Sequence, residues 1–151
     1  MRISTQVGDI TTVTQGIIVQ QVNAQRAMNS GVAKAIRDKY PEVWKQYEAA
    51  DLTMGSVLLC TPAPHSNLLI ASIVGQQFYG LHGLKYTSYD ALDQGFRELA
   101  KLTQGLLEIN YPLIGAGLGG GSWPVIREII NHRLANEKHH LWVQPNNLEP
   151  S

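Results

Sequence analysis

The chain has a single cysteine, no excess of either charge and no long apolar run, and each shortage narrows its class. One cysteine, Cys60, cannot form an intramolecular disulfide, so the sequence points to a reducing compartment. Cys60 closes the apolar run Val57-Leu58-Leu59 and reads as a core residue. Twelve Lys and Arg residues balance twelve Asp and Glu residues. Without a basic excess the chain lacks the field with which general nucleic-acid binders attract phosphates, so no such binding is expected. No window approaches the roughly 18 apolar residues of a membrane span. The start, Met1-Arg2-Ile3-Ser4-Thr5, lacks the apolar centre of a signal peptide. The expectation is a soluble, intracellular, cytoplasmic protein without a membrane partner. Metal-ligand spacing is lacking as well. His139 and His140 are adjacent, and neighbours in a strand face opposite sides, so neither a metal nor a cofactor is expected. There is no Gly-x-Ser-x-Gly elbow and no Gly-x-x-x-x-Gly-Lys-Ser/Thr, which excludes two common hydrolase designs.

What the chain does have is glycine in one place. Five glycines occupy the seven positions Gly115 to Gly121, between the apolar run Leu106 to Ile114 and a helix-like run from Pro124 to Leu134. Such a cluster brings bare backbone N–H groups close to an anion, although a tight turn needs glycine too. Gly115-x-Gly117-x-x-Gly120 matches the dinucleotide fingerprint as a string, but it lies too late for a second βαβ unit to follow.

The rest of the chain alternates. Strands are expected at 2–7, 16–22, 56–60, 68–74, 106–114 and 140–144. Helices are expected at 30–40, 41–50, 88–104 and 124–134, the third with apolar positions Ala91, Leu92, Phe96, Leu99, Ala100 and Leu102. Apolar strands separated by helices imply an α/β fold: a three-layer α/β/α sandwich with a central mixed sheet. Residues 1–145 form one domain and 146–151 a loose tail.

Ligands of such sheets sit beyond the carboxyl ends of the strands. Asn23 follows the second strand and can donate to and accept from a sugar hydroxyl, or form an Asx turn that caps its own loop. Ser30-Gly31-Val32-Ala33 opens a helix, where unpaired N–H groups suit a phosphate; Ser30 alone is equally an ordinary N-cap. Asp9, in Gly8-Asp9-Ile10-Thr11, can accept from a base amino group or cap a turn. Tyr79 can cover a ligand or pack under its loop. His82 is a candidate acid or base, or a solvent-facing loop histidine. Trp123 reads as a packing residue of the glycine loop.

Taken together these segments resemble the macro domain, the ADP-ribose-binding module. Gly8-Asp9-Ile10-Thr11 looks like its early Gly-Asp-Ile-Thr motif, and the resemblance implies that Asp9, with Ile10, contacts adenine. Val22-Asn23-Ala24 is similar to its Val-Asn-Ala motif, implying that Asn23 holds the distal ribose. Ser30, Gly31, Val32 and Ala33 match the first phosphate loop. Gly115, Ala116, Gly117, Leu118, Gly119, Gly120 and Gly121 match the second. Asn29-Ser30-Gly31 followed by Lys34 to Pro41 looks like the branch of ADP-ribose-1″-phosphate phosphatases and terminal ADP-ribose glycohydrolases. The glycohydrolase Lys after a central strand and Asp in the second loop are both missing: the strand reads Ala71-Ser72-Ile73-Val74 and the loop offers Gly119. Where phosphatase-like members often carry Asp before the loop Trp, this chain has Ser122, a poorer acid or base near neutrality. The resemblance implies a protein that binds ADP-ribose or ADP-ribose-1″-phosphate and hydrolyses the latter, with Asn23 and His82 as candidate catalytic groups. A non-catalytic ADP-ribose reader and a hydrolase that removes ADP-ribose from proteins are the alternatives.

Overall fold

The computed structural model describes residues 4–28, 31–64, 66–77, 87–117 and 119–149. Six strands form one sheet in the order β1-β6-β5-β2-β4-β3. They are β1 (Ser4–Val7), β2 (Gly16–Asn23), β3 (Val57–Cys60), β4 (Leu68–Gln76), β5 (Glu108–Tyr111) and β6 (Lys138–Val143). All neighbours pair in parallel except β3, which runs antiparallel to β4 at one edge. The helices are α1 (Gly31–Lys39), α2 (Pro41–Ala49), α3 (Tyr89–Thr103) and α4 (Trp123–Arg133).

Alternation along the strands assigns the two cores. In β2, Ile17 and Val19 pack with Leu92, Phe96 and Leu99 of α3 and with Ile126 and Ile130 of α4. Ile18 and Val22 face the other way, toward Ile36 of α1 and Val43 and Tyr47 of α2. The result is the expected three-layer α/β/α sandwich around a mixed sheet. Each fully buried aliphatic side chain contributes about 1.5–3 kcal/mol of transfer free energy, so the two clusters dominate stability.

Local chemistry sets the helix limits. Ser88 caps α3 by accepting from Ala91 N–H at 3.1 Å. Gln104 (φ 47) and Gly105 (φ 75) end it in the left-handed region. Gly95 lets α3 lie close on the sheet, because a Cβ there would run into Ile73. Pro41 and Pro124 stand in the first turns of α2 and α4, where a missing N–H costs nothing.

One strand is shorter than its apolar run. β5 covers only Glu108–Tyr111, whereas 106–114 reads as strand. Leu106 N–H bonds back to Thr103 O in a turn, and Leu106 is 81% exposed. Pro112 cannot donate to the ladder. The segment after β6 doubles back: Asn147 N–H bonds Gln144 O, and Glu149 accepts from Trp123 Nε1 at 2.9 Å and Arg127 at 3.2 Å. No helix among the described residues is long and apolar enough to cross a membrane.

Candidate functional site

β2 lies between β5 and β4, and the chain leaves it toward α1 and α2 while α3 and α4 flank the opposite face. This is the topological switch point of the sheet, where the carboxyl ends of neighbouring strands open loops that diverge. The loops after β1 and β5 carry Asp9 and the glycine run, and Asn23, expected just after the second strand, is the last residue of β2, which its pairing with Gln76 extends by one position.

Asp9 caps the 3-10 turn Ile10–Thr12. Its Oδ1 accepts from Thr11 N–H at 2.9 Å and from the Thr11 hydroxyl at 2.7 Å. The Thr11 hydroxyl is the main cause that holds this carboxyl below its ordinary range; the Thr11 N–H and the Lys39 charge add to it. Oδ2 has no described partner. Capping and ligand reading are therefore compatible, one oxygen for each. Lys39 Nζ donates to Thr11 O at 2.5 Å and ties the turn to the end of α1.

Asn23 sits beside a register shift. The β2–β4 pairing passes from Val22–Val74 to Asn23–Gln76 and skips Gly75. The Asn23 side chain is 7% exposed and forms an Asx turn. Its Oδ1 accepts from Gln25 N–H at 3.0 Å, Ala27 N–H at 3.2 Å and the Tyr47 hydroxyl at 3.1 Å; its Nδ2 donates to Ala27 O at 2.9 Å. The Asx-turn reading is realised, and a single Nδ2 hydrogen remains for a ligand. Burial pushes the Tyr47 hydroxyl up to about 12, so it stays a donor.

The glycine run is a folded loop rather than an open ribbon. Ala116 N–H bonds Leu113 O, Gly120 N–H bonds Gly117 O at 3.1 Å, and Gly121 N–H bonds Gly115 O at 2.8 Å. Those amides are spent inside the loop. Among the described residues, the N–H groups of Gly117 and Gly119 find no acceptor. A polar layer missed in the sequence supports the loop from below. Thr87 donates its hydroxyl to Gly115 O at 2.8 Å and its N–H to Gly119 O at 3.0 Å. Gln21 Nε2 donates to Thr87 Oγ1 at 2.9 Å and to Gln76 Oε1 at 2.7 Å. The only local signal was a pair of glutamines, Gln20 and Gln21, inside the apolar strand Gly16–Asn23.

This layer explains most of the glycines. A Cβ at Gly119 would run into Thr87 Oγ1 and stand 2.9 Å from Gly115 O; one at Gly121 would stand 2.8 Å from Gly115 O; one at Gly75 would run into Gln21 Oε1. Gly115 and Gly120 have φ of 74° and 73°. Gly31 needs glycine for its φ of 61°. Gly117 has neither reason: its φ is outside the left-handed region, and a Cβ would meet nothing within 4 Å among the described residues. Open space above Gly117 is room for a ligand to reach the backbone.

Gly31, Val32 and Ala33 form the first turn of α1, whose N–H groups lack helical acceptors. Ser30, Tyr79, His82 and Leu118 lie outside the described residues. Ser122 precedes α4 without a side-chain cap bond; its N–H donates to the Tyr89 hydroxyl at 2.9 Å. Trp123 is 2% exposed and packs in the α3–α4 core, as read from its sequence position. Cys60 is buried, and burial pushes its thiol up, which fits a core role. His139 and His140 do face opposite sides: His139 meets the Tyr111 hydroxyl at 2.7 Å, and His140 meets Glu108 at 2.5 Å. Among the described residues no group of three or more His, Cys, Asp or Glu could hold a metal.

These features define a three-layer α/β/α domain. No family model and no curated protein sequence matches the chain. Solved structures do. A Bacteroides thetaiotaomicron protein of unknown function aligns with a TM-score of 0.80 and 25% identity over 94% of this chain and 98% of that one. The macrodomain of Mycobacterium tuberculosis DarG aligns at 0.79 and 20% identity over 99% of both. Thermosipho africanus DarTG, solved in complex with ADP-ribose, aligns at 0.78 and 16% identity over 97% of this chain and 43% of that one. The chain has the macrodomain fold.

Proposed function

We propose that this chain binds ADP-ribose along the carboxyl ends of β1, β2 and β5 and hydrolyses ADP-ribose-1″-phosphate to ADP-ribose and phosphate. The observation that carries the reading is Gly117: nothing among the described residues requires glycine there, and a Cβ would meet open space. Asp9 Oδ2 receives the adenine amino group, with Ile10 beside it. The first turn of α1 and the Gly117 loop share the diphosphate through backbone amides, which suits a chain with no net charge. Asn23 directs its remaining N–H to the distal ribose and orients the attacking water. Water adds to phosphorus, the bond from phosphorus to the 1″ oxygen breaks, and the leaving oxygen takes up a proton. His82 is the candidate acid or base, and Tyr79 the candidate cover.

A second reading, an ADP-ribose reader without turnover, is favoured by two observations. The Asn23 amide is mostly engaged in its own turn, and the Ser122 hydroxyl is a weak proton donor near neutrality. Incubation with ADP-ribose-1″-phosphate and, separately, with ADP-ribosylated protein decides. Phosphate release from the first alone supports the phosphatase. Binding without release from either supports the reader. Release of ADP-ribose from protein supports a de-ADP-ribosylating hydrolase instead.

A further inference from the structure

The loop from Asn23 to Met28 is bolted to α2 at two places. The Tyr47 hydroxyl donates its one hydrogen to the Asn23 main-chain oxygen at 2.5 Å and shares it with Asn23 Oδ1 at 3.1 Å. Arg26, held at φ 61°, donates Nε to Glu48 O at 3.0 Å and Nη2 to Ala50 O at 2.8 Å, covering the carbonyl end of α2. Met28, fully buried, anchors the far side of the loop in the same core as Tyr47.

The consequence concerns which end of the Asn23 amide is free. Two backbone N–H groups donate to Oδ1, and the Tyr47 hydroxyl, whose one hydrogen is shared with the nearer Asn23 main-chain oxygen, lies 3.1 Å from it. Turning the amide over would set its NH2 group against those two N–H donors and its oxygen against the Ala27 carbonyl. Each lost bond costs about 0.5–1.5 kcal/mol, and each buried group left unpaired about 1–3 kcal/mol. The amide therefore has one orientation, and the group it can offer a ligand is a single N–H.

We infer that Tyr47 is a positioning residue that fixes Asn23 as a donor-only reader, so that the position answers to a lone pair on the ligand and not to a hydroxyl hydrogen. This rests on the ADP-ribose reading above, in which the partner is a distal ribose hydroxyl accepting from Asn23 Nδ2. The hydroxyl of Tyr47 remains protonated across the neutral range, so the lock does not depend on pH there.

The test uses the whole chain and two ligands. Tyr47→Phe removes the hydroxyl and keeps the ring. Titration calorimetry should show ADP-ribose binding weakened about tenfold, the order of one positioned hydrogen bond. AMP, which lacks the distal ribose, should bind within about twofold of wild type. In the ligand-free protein the Asn23 side-chain NH2 resonances should lose their dispersion in Tyr47→Phe, reporting release of the amide directly. Equal weakening for both ligands, or unchanged NH2 resonances, would overturn the inference, since a merely structural Tyr47 would do one or the other. If Tyr47→Phe does not fold, Asn23→Asp carries the test: it keeps an acceptor for the two N–H donors and the Tyr47 hydroxyl and deletes the N–H. ADP-ribose should then bind at least tenfold more weakly with AMP unchanged, and wild-type affinity for ADP-ribose would overturn the donor-only reading. A wild-type chain that binds AMP and ADP-ribose equally sinks the ADP-ribose assignment itself, whereas the NH2 resonances still report on the Tyr47 lock.

Discussion

Single residues divide into those the fold needs and those a ligand needs. Asp9 serves both, and the two roles separate by substitution. Asp9→Asn keeps an oxygen for the Thr11 N–H, so the melting temperature should move little. It loses the carboxylate, so ADP-ribose affinity should fall about tenfold or more, as for a bond to a charged group of at least roughly 1.5 kcal/mol. Calorimetry beside a thermal melt checks both; unchanged affinity would leave Asp9 as a cap only. The sign of the pH effect follows from the Thr11 bonds, which lower the carboxyl. A depressed acid keeps its charge until pH falls through its lowered value. Affinity for ADP-ribose should therefore be level from pH 8 to about 5 as far as Asp9 is concerned. Gly117 and Gly119 make a second pair. Gly119→Ala forces a Cβ onto Thr87 and should cost about 1–3 kcal/mol of stability, as overpacking does. Gly117→Ala should change stability by less than about 0.5 kcal/mol, yet weaken ADP-ribose at least tenfold. Wild-type binding by Gly117→Ala would remove the main support for a ligand there.

At the scale of elements, Thr87 joins three of them: β2 through Gln21, the start of α3, and the loop after β5. Thr87→Val is nearly isosteric and leaves Gly115 O and Gln21 Nε2 each without this partner. A loss of about 1–3 kcal/mol is expected, with faster amide exchange confined first to residues 115–121. Exchange spread evenly over the sheet would show that the hydroxyl does not hold the loop. This layer also marks where sequence reading stopped. Helices and most strands were legible because their apolar periods are local: Leu92, Phe96 and Leu99 announce α3 by spacing alone. β5 was overextended because Leu106 and Leu107 are apolar but turn outward after Gly105. The loops bearing Asp9, Asn23 and the glycine run were legible as positions. Their support was not, since Gln21–Thr87 and Asn23–Tyr47 join residues 66 and 24 apart, and no local pattern records a pairing across that distance.

For the whole molecule, acid tolerance should be set in the core and not at the loops. His139 is 2% exposed, and burial is the largest cause that lowers its pKa from 6.5, with the neighbouring His140 adding to it. A histidine buried neutral takes up a proton more readily when unfolded. Its contribution is complete above the unfolded value near 6.5 and is lost as pH falls from there through the lower folded value. The urea midpoint should accordingly drop between pH 7 and pH 5, and His139→Phe, if it packs, should flatten that drop. An equally steep fall in the variant would place the acid sensitivity elsewhere.

The division among the glycines has a consequence for descent. Gly75, Gly119 and Gly121 answer to neighbours in the same chain, so a descendant that had abandoned its ligand would still be obliged to retain them in order to fold. Gly117 answers to no neighbour among the described residues. In a lineage that lost its activity it would be the first of the run to drift, and a side chain at that single position would distinguish a working relative from a silent one even where the rest of the glycine string reads the same.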